Sequence, residues 1–150
     1  MKLADYLTPG RVVSLETSSK AEALSELVAV LAESNGVSAA ELSRAVMQRE
    51  KMMSTGVGNG LAIPHVRMSG LKAASIAVGV SRNGIADYES LDDEPIRIIV
   101  LIAAPQGEHD TYIRLLARVA EALKKKQLRQ AIVDTDDPAE VHRILTEGGM

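Results

Sequence analysis

Apolar positions along the chain switch repeatedly between a period of two and a helical period. The stretch "RVVSLE" (11–16), after the turn signal Pro9-Gly10, reads as a short strand. From Ser19 the spacing becomes helical, with Leu24, Leu27, Val28 and Leu31 on one face. Ser19 and Glu22 form a capping box, and Asn35-Gly36 is a stop signal. The pattern repeats at once, where Ser38 and Glu41 cap a second helix carrying Leu42, Ala45 and Val46 and ending near Arg49-Glu50. Two β-branched runs follow, "ASIAVGVS" (74–81) and "IRIIVLIAA" (96–104), the second apolar enough for a strand covered on both faces. The turn-rich segment between them carries Asp92-Asp93-Glu94, read as a solvated turn. The last third is helical. Residues 110–126 place Ile113, Leu116, Ala117, Ala120 and Leu123 on one face, and "QLRQAIVDT" (127–135) continues or follows that helix. A final helix opens on an aspartate cap with Pro138 in its first turn. Strands and helices alternate without repeats or low-complexity tracts, which predicts one α/β layered domain over residues 1–150.

Composition narrows the chemistry. Hydrophobic residues are 46% of the 150, so a large core is available, and with three tyrosines as the only aromatics that core is aliphatic. The formal charge of −3, with no basic run joined to aromatic platforms, argues against nucleic acid as a partner. With no cysteine there is no disulfide, no thiolate nucleophile and no sulfur-ligated metal. The start "MKLADYLTPG" lacks a signal-peptide core, and no apolar stretch approaches about 18 residues, so a cytoplasmic protein without direct membrane insertion is expected.

The segment "STGVGNGLAIPHV" (54–66) concentrates the candidate chemistry. It matches neither the dinucleotide nor the P-loop fingerprint, and the chain carries no zinc-protease or hydrolase-elbow motif. Gly56, Gly58 and Gly60 allow unusual backbone angles that expose amide groups as an anion nest, and Ser54 and Thr55 add hydroxyl donors. Pro64 holds Ile63 extended, so that His65 emerges from a rigid segment as an imidazole able to attack phosphorus. Arg49, at the preceding helix end, can grip phosphate oxygens through paired hydrogen bonds. Two readings stand at this point. The segment is a phosphoryl cradle, or it is a tight turn followed by a hydrogen-bonded structural histidine.

The longer stretch "REKMMSTGVGNGLAIPHV" (49–66) closely resembles the active-site segment of the enzyme IIA proteins of the phosphoenolpyruvate-dependent phosphotransferase system, of the fructose, mannitol and nitrogen-regulatory type. The positions that carry the likeness are Arg49-Glu50, Ser54-Thr55-Gly56, Gly58, Gly60 and Ala62 to His65. The resemblance continues into the later "PIRIIVLIAAP" strand and the "LLARVAEAL" helix. It implies a mixed β-sheet flanked by helices on both faces, with the histidine in a shallow cleft. It also implies that His65 takes a phosphoryl group from the histidine-containing phosphocarrier protein and passes it to an enzyme IIB. No cofactor or metal is implied, because such an exchange between phosphohistidines asks for positioning and charge stabilisation.

One departure affects the site. Family members usually carry a second histidine near the start of the penultimate long helix; in register that position is Tyr112, and His109 lies three residues earlier. Three assignments follow: His109 serves the site from a shifted backbone, Tyr112 supplies a hydroxyl to the phosphate, or His109 only caps its loop. The first is adopted here. His142 and the "KKK" run (124–126) are read as structural, and Met52-Met53 as packing or as part of a partner-facing surface.

Three function classes result. The leading one is a phosphoryl carrier feeding sugar uptake. The second is a nitrogen-regulatory-type IIA protein that binds a regulatory target according to its phosphorylation state. The third, a metalloenzyme built on His65, His109 and a carboxylate, leaves the glycines unexplained.

Overall fold

The computed structural model describes residues 1–148, so Gly149 and Met150 of the expected 1–150 domain lie outside the described residues. Eleven regular elements follow two 3₁₀ turns at Leu3–Asp5 and Pro9–Arg11. They are β1 (Val12–Ser14), α1 (Lys20–Asn35), α2 (Ala39–Met52), β2 (Gly56–Gly58), β3 (Leu61–Ala62), β4 (His65–Arg67), β5 (Ser75–Ile85), β6 (Ile96–Ala104), α3 (His109–Leu123), α4 (Lys126–Asp134) and α5 (Pro138–Gly148). The sheet runs β1-β5-β6-β3-β2, with β4 also on β6. It is mixed: β1 is parallel to β5 and β3 and β4 to β6, whereas β5–β6 and β2–β3 are antiparallel.

Alternation along β6 explains the two-sided burial of its apolar run. Ile98, Val100 and Ile102 face one layer, with Leu115, Val119, Leu123, Ile132, Val141 and Leu145 from α3, α4 and α5. Ile99, Leu101 and Ala103 face the other, against Leu24, Leu27, Leu31, Leu42 and Val46 of α1 and α2. Helices therefore cover both faces, as the resemblance implied. The predicted caps are present: Ser19 and Ser38 accept from the Glu22 and Glu41 amides at 3.3 Å, and Gly36 ends α1 in the left-handed region.

Two sequence expectations shift and one open alternative is decided. The α3 face turned to the sheet is Leu115, Val119, Ala122 and Leu123, so of the expected face Leu123 is buried and Leu116 partly so, while Ile113 is exposed. This helix is apolar on two neighbouring stripes, and the bulkier one packs inward. The segment 127–135 forms its own helix, since α3 stops at Leu123 and α4 starts at Lys126. Met52 and Met53 do not pack; they are 81% and 71% exposed at the C-terminal end of α2. Among the described residues no helix is long and apolar enough to cross a membrane.

Candidate functional site

His65 sits on a strand interrupted by a proline. Leu61 and Ala62 of β3 pair with Ile98 and Ile99, and His65 to Arg67 of β4 pair with Ile102 to Ala104, so the register on β6 is the same before and after Pro64. Pro64 has no N–H to give the ladder, but its carbonyl still accepts from the Ile102 amide at 2.9 Å. On the other side the Ile63 amide donates to the Thr55 carbonyl at 3.1 Å. The segment is thus held from both edges. Side chains alternate along it: Val66 is buried against the α1–α2 layer, which turns His65 and Arg67 to the α3 side.

The half-buried imidazole is oriented by its own backbone. Its Nδ1 lies 2.7 Å from the Ile63 carbonyl oxygen. A carbonyl only accepts, so Nδ1 carries the proton in the neutral ring and Nε2 keeps its lone pair. Burial pushes the imidazolium pKa below its ordinary value; the Ile63 bond opposes that shift, Arg49 adds to it, and Glu50 opposes it. Around neutral pH the ring is therefore an uncharged nucleophile.

Three side chains from three elements surround it. The Tyr112 ring of α3 lies 5.7 Å from the His65 ring, tilted by 58°. The Arg67 guanidinium carbon lies 5.5 Å from the centre of the Tyr112 ring. Arg49, near the end of α2, donates to the Met53 carbonyl at 3.0 Å. Its charge acts on both His65 and Tyr112: burial pushes the Tyr112 hydroxyl pKa up, and Arg49 and Arg67 pull it back. The site joins a neutral histidine to a neighbouring phenol on which two guanidinium charges act.

The residue following Arg49 anchors the glycine loop. Glu50 is 5% exposed, and its carboxylate pairs with Lys20 Nζ at 3.1 Å and accepts from the Thr55 amide at 3.3 Å. The Thr55 hydroxyl bonds the same carboxylate and also lies 2.7 Å from the Tyr88 hydroxyl. Lys20 Nζ sits 4.4 Å from the centre of the Tyr88 ring. One buried cluster therefore ties the starts of α1 and β2 to the end of α2.

This cluster corrects the roles expected of the loop. Thr55 is buried in it, so its hydroxyl is committed to Glu50 and Tyr88. The Ser54 hydroxyl donates to the Glu89 carbonyl at 2.7 Å, and the Gly56 amide donates to Ser54 Oγ at 3.3 Å. The Gly58 amide donates to Ser90 Oγ at 3.1 Å, and the Asn59 amide to Asp92 Oδ2 at 2.8 Å. The Gly58 and Asn59 amides hold groups of the 88–94 segment, and the Gly56 amide holds Ser54, instead of forming an open anion nest. Asp92 is accordingly more than a solvated turn residue, and the amides of Asn59 and Glu94 hold its carboxyl below the usual range. Gly58 and Gly60 adopt φ of +95° and +73°, and the Gly60 carbonyl accepts from the Arg97 and Ile98 amides at 2.8 and 3.0 Å. The glycines shape the loop that leads to His65.

Of the two candidates on α3, the structure brings Tyr112 to His65. His109 is exposed at the first residue of the helix, about one turn away, and its side chain makes no hydrogen bond or ring contact among the described residues. His142 Nε2 lies 2.9 Å from the Leu7 carbonyl oxygen, a structural tie between α5 and the N-terminal turn. The described residues contain no group of three His, Asp or Glu side chains arranged to hold a metal ion. Sequence reasoning missed Arg67, and it counted Glu50 in the motif without a role. Arg67 was legible from the two-residue period of a strand, two positions beyond His65; Glu50 needed Lys20, thirty positions away.

With this geometry established, comparison with known proteins is direct. The family model described as "Phosphoenolpyruvate-dependent sugar phosphotransferase system, EIIA 2" matches residues 6–148. A PTS system fructose-specific EIIABC component from Bacillus subtilis is 30% identical over 149 residues, covering 98% of this chain and 23% of that protein. A nitrogen regulatory protein from Bradyrhizobium diazoefficiens is 31% identical over 147 residues, covering 97% of this chain and 95% of the relative. The crystal structure of the nitrogen regulatory protein IIA-Ntr from Neisseria meningitidis superposes with a TM-score of 0.89 at 28% identity, covering 96% of this chain and 99% of that one. Fold and sequence together define a protein of the phosphoenolpyruvate-dependent sugar phosphotransferase class. Within that class the chain belongs to the EIIA 2 family.

Proposed function

We propose that the protein is a phosphoryl carrier that accepts a phosphoryl group on Nε2 of His65. The observation that carries this reading is the bond between Nδ1 and the Ile63 carbonyl, which leaves Nε2 unprotonated and aimed away from the backbone. The donor is the histidine-containing phosphocarrier protein. The His65 Nε2 lone pair attacks phosphorus, and the P–N bond of the donor phosphohistidine breaks with its electron pair returning to the donor imidazole. The proton stays on Nδ1, donated to the Ile63 carbonyl, throughout. One P–N bond is exchanged for another, so the chain's tasks are alignment and neutralisation of the phosphoryl oxygens, which suits two guanidinium groups and needs no metal or nucleotide. Tyr112 takes the place expected of a second histidine and offers its hydroxyl to a phosphoryl oxygen. The next acceptor is an enzyme IIB, a component that shares the name of the Bacillus EIIABC relative. The exchange is set in the cytoplasm, where phosphoenolpyruvate is made, and serves sugar uptake.

A second reading makes the same phosphorylation a signal: the protein binds a regulatory partner in one phosphorylation state only. It is favoured by the nitrogen regulatory relatives, one of which matches at a TM-score of 0.89. A phosphoryl group near Arg49 and Arg67 would reverse the charge seen by a partner at this surface.

Intact mass after incubation with phosphoenolpyruvate, enzyme I and the phosphocarrier tests the carrier chemistry. The expected result is one acid-labile phosphoryl group on the wild type and none on His65→Ala. An unmodified wild type, with donors shown to be active, would overturn it. Pull-down of partners by the phosphorylated and unphosphorylated forms then separates transport from regulation.

A further inference from the structure

We infer that Arg67 is a second phosphoryl-binding cation, held at His65 by the Tyr112 ring. The inference rests on the carrier reading above and adds to it the residue pair that stabilises the phosphorylated state.

Four observations converge on this pair. His65 and Arg67 are two apart on β4, and strand alternation turns both to the α3 side. The Arg67 guanidinium lies over the Tyr112 ring at 5.5 Å, and that ring lies 5.7 Å from His65, so the aromatic side chain bridges cation and nucleophile. Arg67 makes no ion pair with a carboxylate among the described residues, and its hydrogen bond is a long one, from Nη1 to the Gln106 carbonyl at 3.4 Å. Most of its donors are therefore unspent. Finally, Arg49 acts on the site from the end of α2, a different element, so the two cations are supplied by separate parts of the fold.

The chemistry follows from the charge of the group to be held. A phosphoryl group on Nε2 brings up to two negative charges into a half-buried site, where charge-assisted bonds count for more than in water. A guanidinium can give two parallel N–H bonds to its oxygens, which a lysine ammonium cannot reproduce. Stacking on Tyr112 restricts the Arg67 side chain beforehand, so little rotamer freedom is lost when the phosphoryl group arrives. A histidine on α3 would couple the same position to its own protonation; a guanidinium stays charged at any physiological pH.

The test compares wild type with Arg67→Gln, Arg67→Lys, Tyr112→Phe and Tyr112→Leu. Two quantities are read: the equilibrium of phosphoryl exchange with the phosphocarrier, and the pH midpoint of the phosphoryl group by phosphorus NMR. Arg67→Gln is expected to shift the equilibrium toward the donor by about tenfold, and to raise the midpoint because the dianion loses a cation. Arg67→Lys should recover part of both. Tyr112→Leu, which removes the ring, should resemble Arg67→Gln, whereas Tyr112→Phe, which keeps the ring, should retain the Arg67 contribution. Melting temperatures confirm that each variant is folded. A phosphorylated wild type with Arg67→Gln identical to it in both quantities overturns the role of Arg67 and leaves the carrier reading intact. A wild type that takes no phosphoryl group overturns both.

Discussion

His65 Nδ1 lies 2.7 Å from the carbonyl oxygen of Ile63, two residues earlier on the same segment. The proline between them fixes the backbone that makes this contact, so the reactive tautomer is chosen by the main chain and not by a separate carboxylate.

Nitrogen NMR on selectively labelled protein should find the Nδ1–H tautomer at neutral pH, with a midpoint below the ordinary 6.5 because burial outweighs the Ile63 bond. The sign for stability follows. Between the folded midpoint and 6.5 the unfolded chain binds more protons, so the His65 contribution is fully present above 6.5 and is lost as pH falls through that window. His65→Gln should flatten this part of the stability profile. An imidazolium at pH 7 in the wild type would contradict the tautomer assignment.

Arg49→Ala should slow phosphoryl transfer by about 100- to 1000-fold, the cost of removing one donor from an oxyanion-type site. The fold should not change, because the side chain is only part-buried and the bond it gives the Met53 carbonyl can pass to water. Rapid-quench kinetics beside circular dichroism separates the two effects. Transfer at the wild-type rate would remove Arg49 from the site.

Much of this was legible in the sequence, unevenly. The ends of α1, its caps and the span of β6 follow from local signals: an oxygen side chain before a helical period, a glycine after it, a nine-residue β-branched run. The fragments β2, β3 and β4 have two or three residues each, too few for a period, and exist because β6 is there for β3 and β4 to pair with, and β3 for β2. β5 runs on to Ile85, past the "RNG" that reads as a turn, through a register shift and a Gly84 at φ +83°. The motif identified His65 and Arg49, but it could not say which donors were already spent. Thr55 and Ser54 look like phosphate ligands in a string of letters, and only tertiary packing reveals Glu50, Tyr88 and the Glu89 carbonyl as their partners.

The Lys20–Glu50 pair should behave as a buried ion pair. Lys20→Met leaves an unpaired carboxylate at a site 5% exposed and is expected to destabilise by about 3 kcal/mol. Adding Glu50→Gln removes the orphaned charge and should restore part of the loss, which a urea-denaturation double-mutant cycle reads as coupling. Simple additivity of the two losses would mean that the pair contributes nothing beyond its separate contacts.

Gly56 allows the closest backbone approach in the loop. A β-carbon there would fall 2.2 Å from the Glu89 carbonyl oxygen, a main-chain atom that the neighbouring Ser54 bond holds in place. Gly56→Ala must therefore push the 54–56 segment off the 88–90 segment, at a cost of about 1–3 kcal/mol in unfolding free energy. The displaced segment includes Thr55, whose carbonyl carries the Ile63 amide and so the rail on which His65 is mounted. Both stability and phosphoryl transfer should fall in this variant. Gly10→Ala is the control: its nearest neighbour would be the Thr8 hydroxyl at 4.0 Å, and neither quantity should move. If Gly56→Ala loses stability but transfers at the wild-type rate, the loop supports the fold without positioning His65.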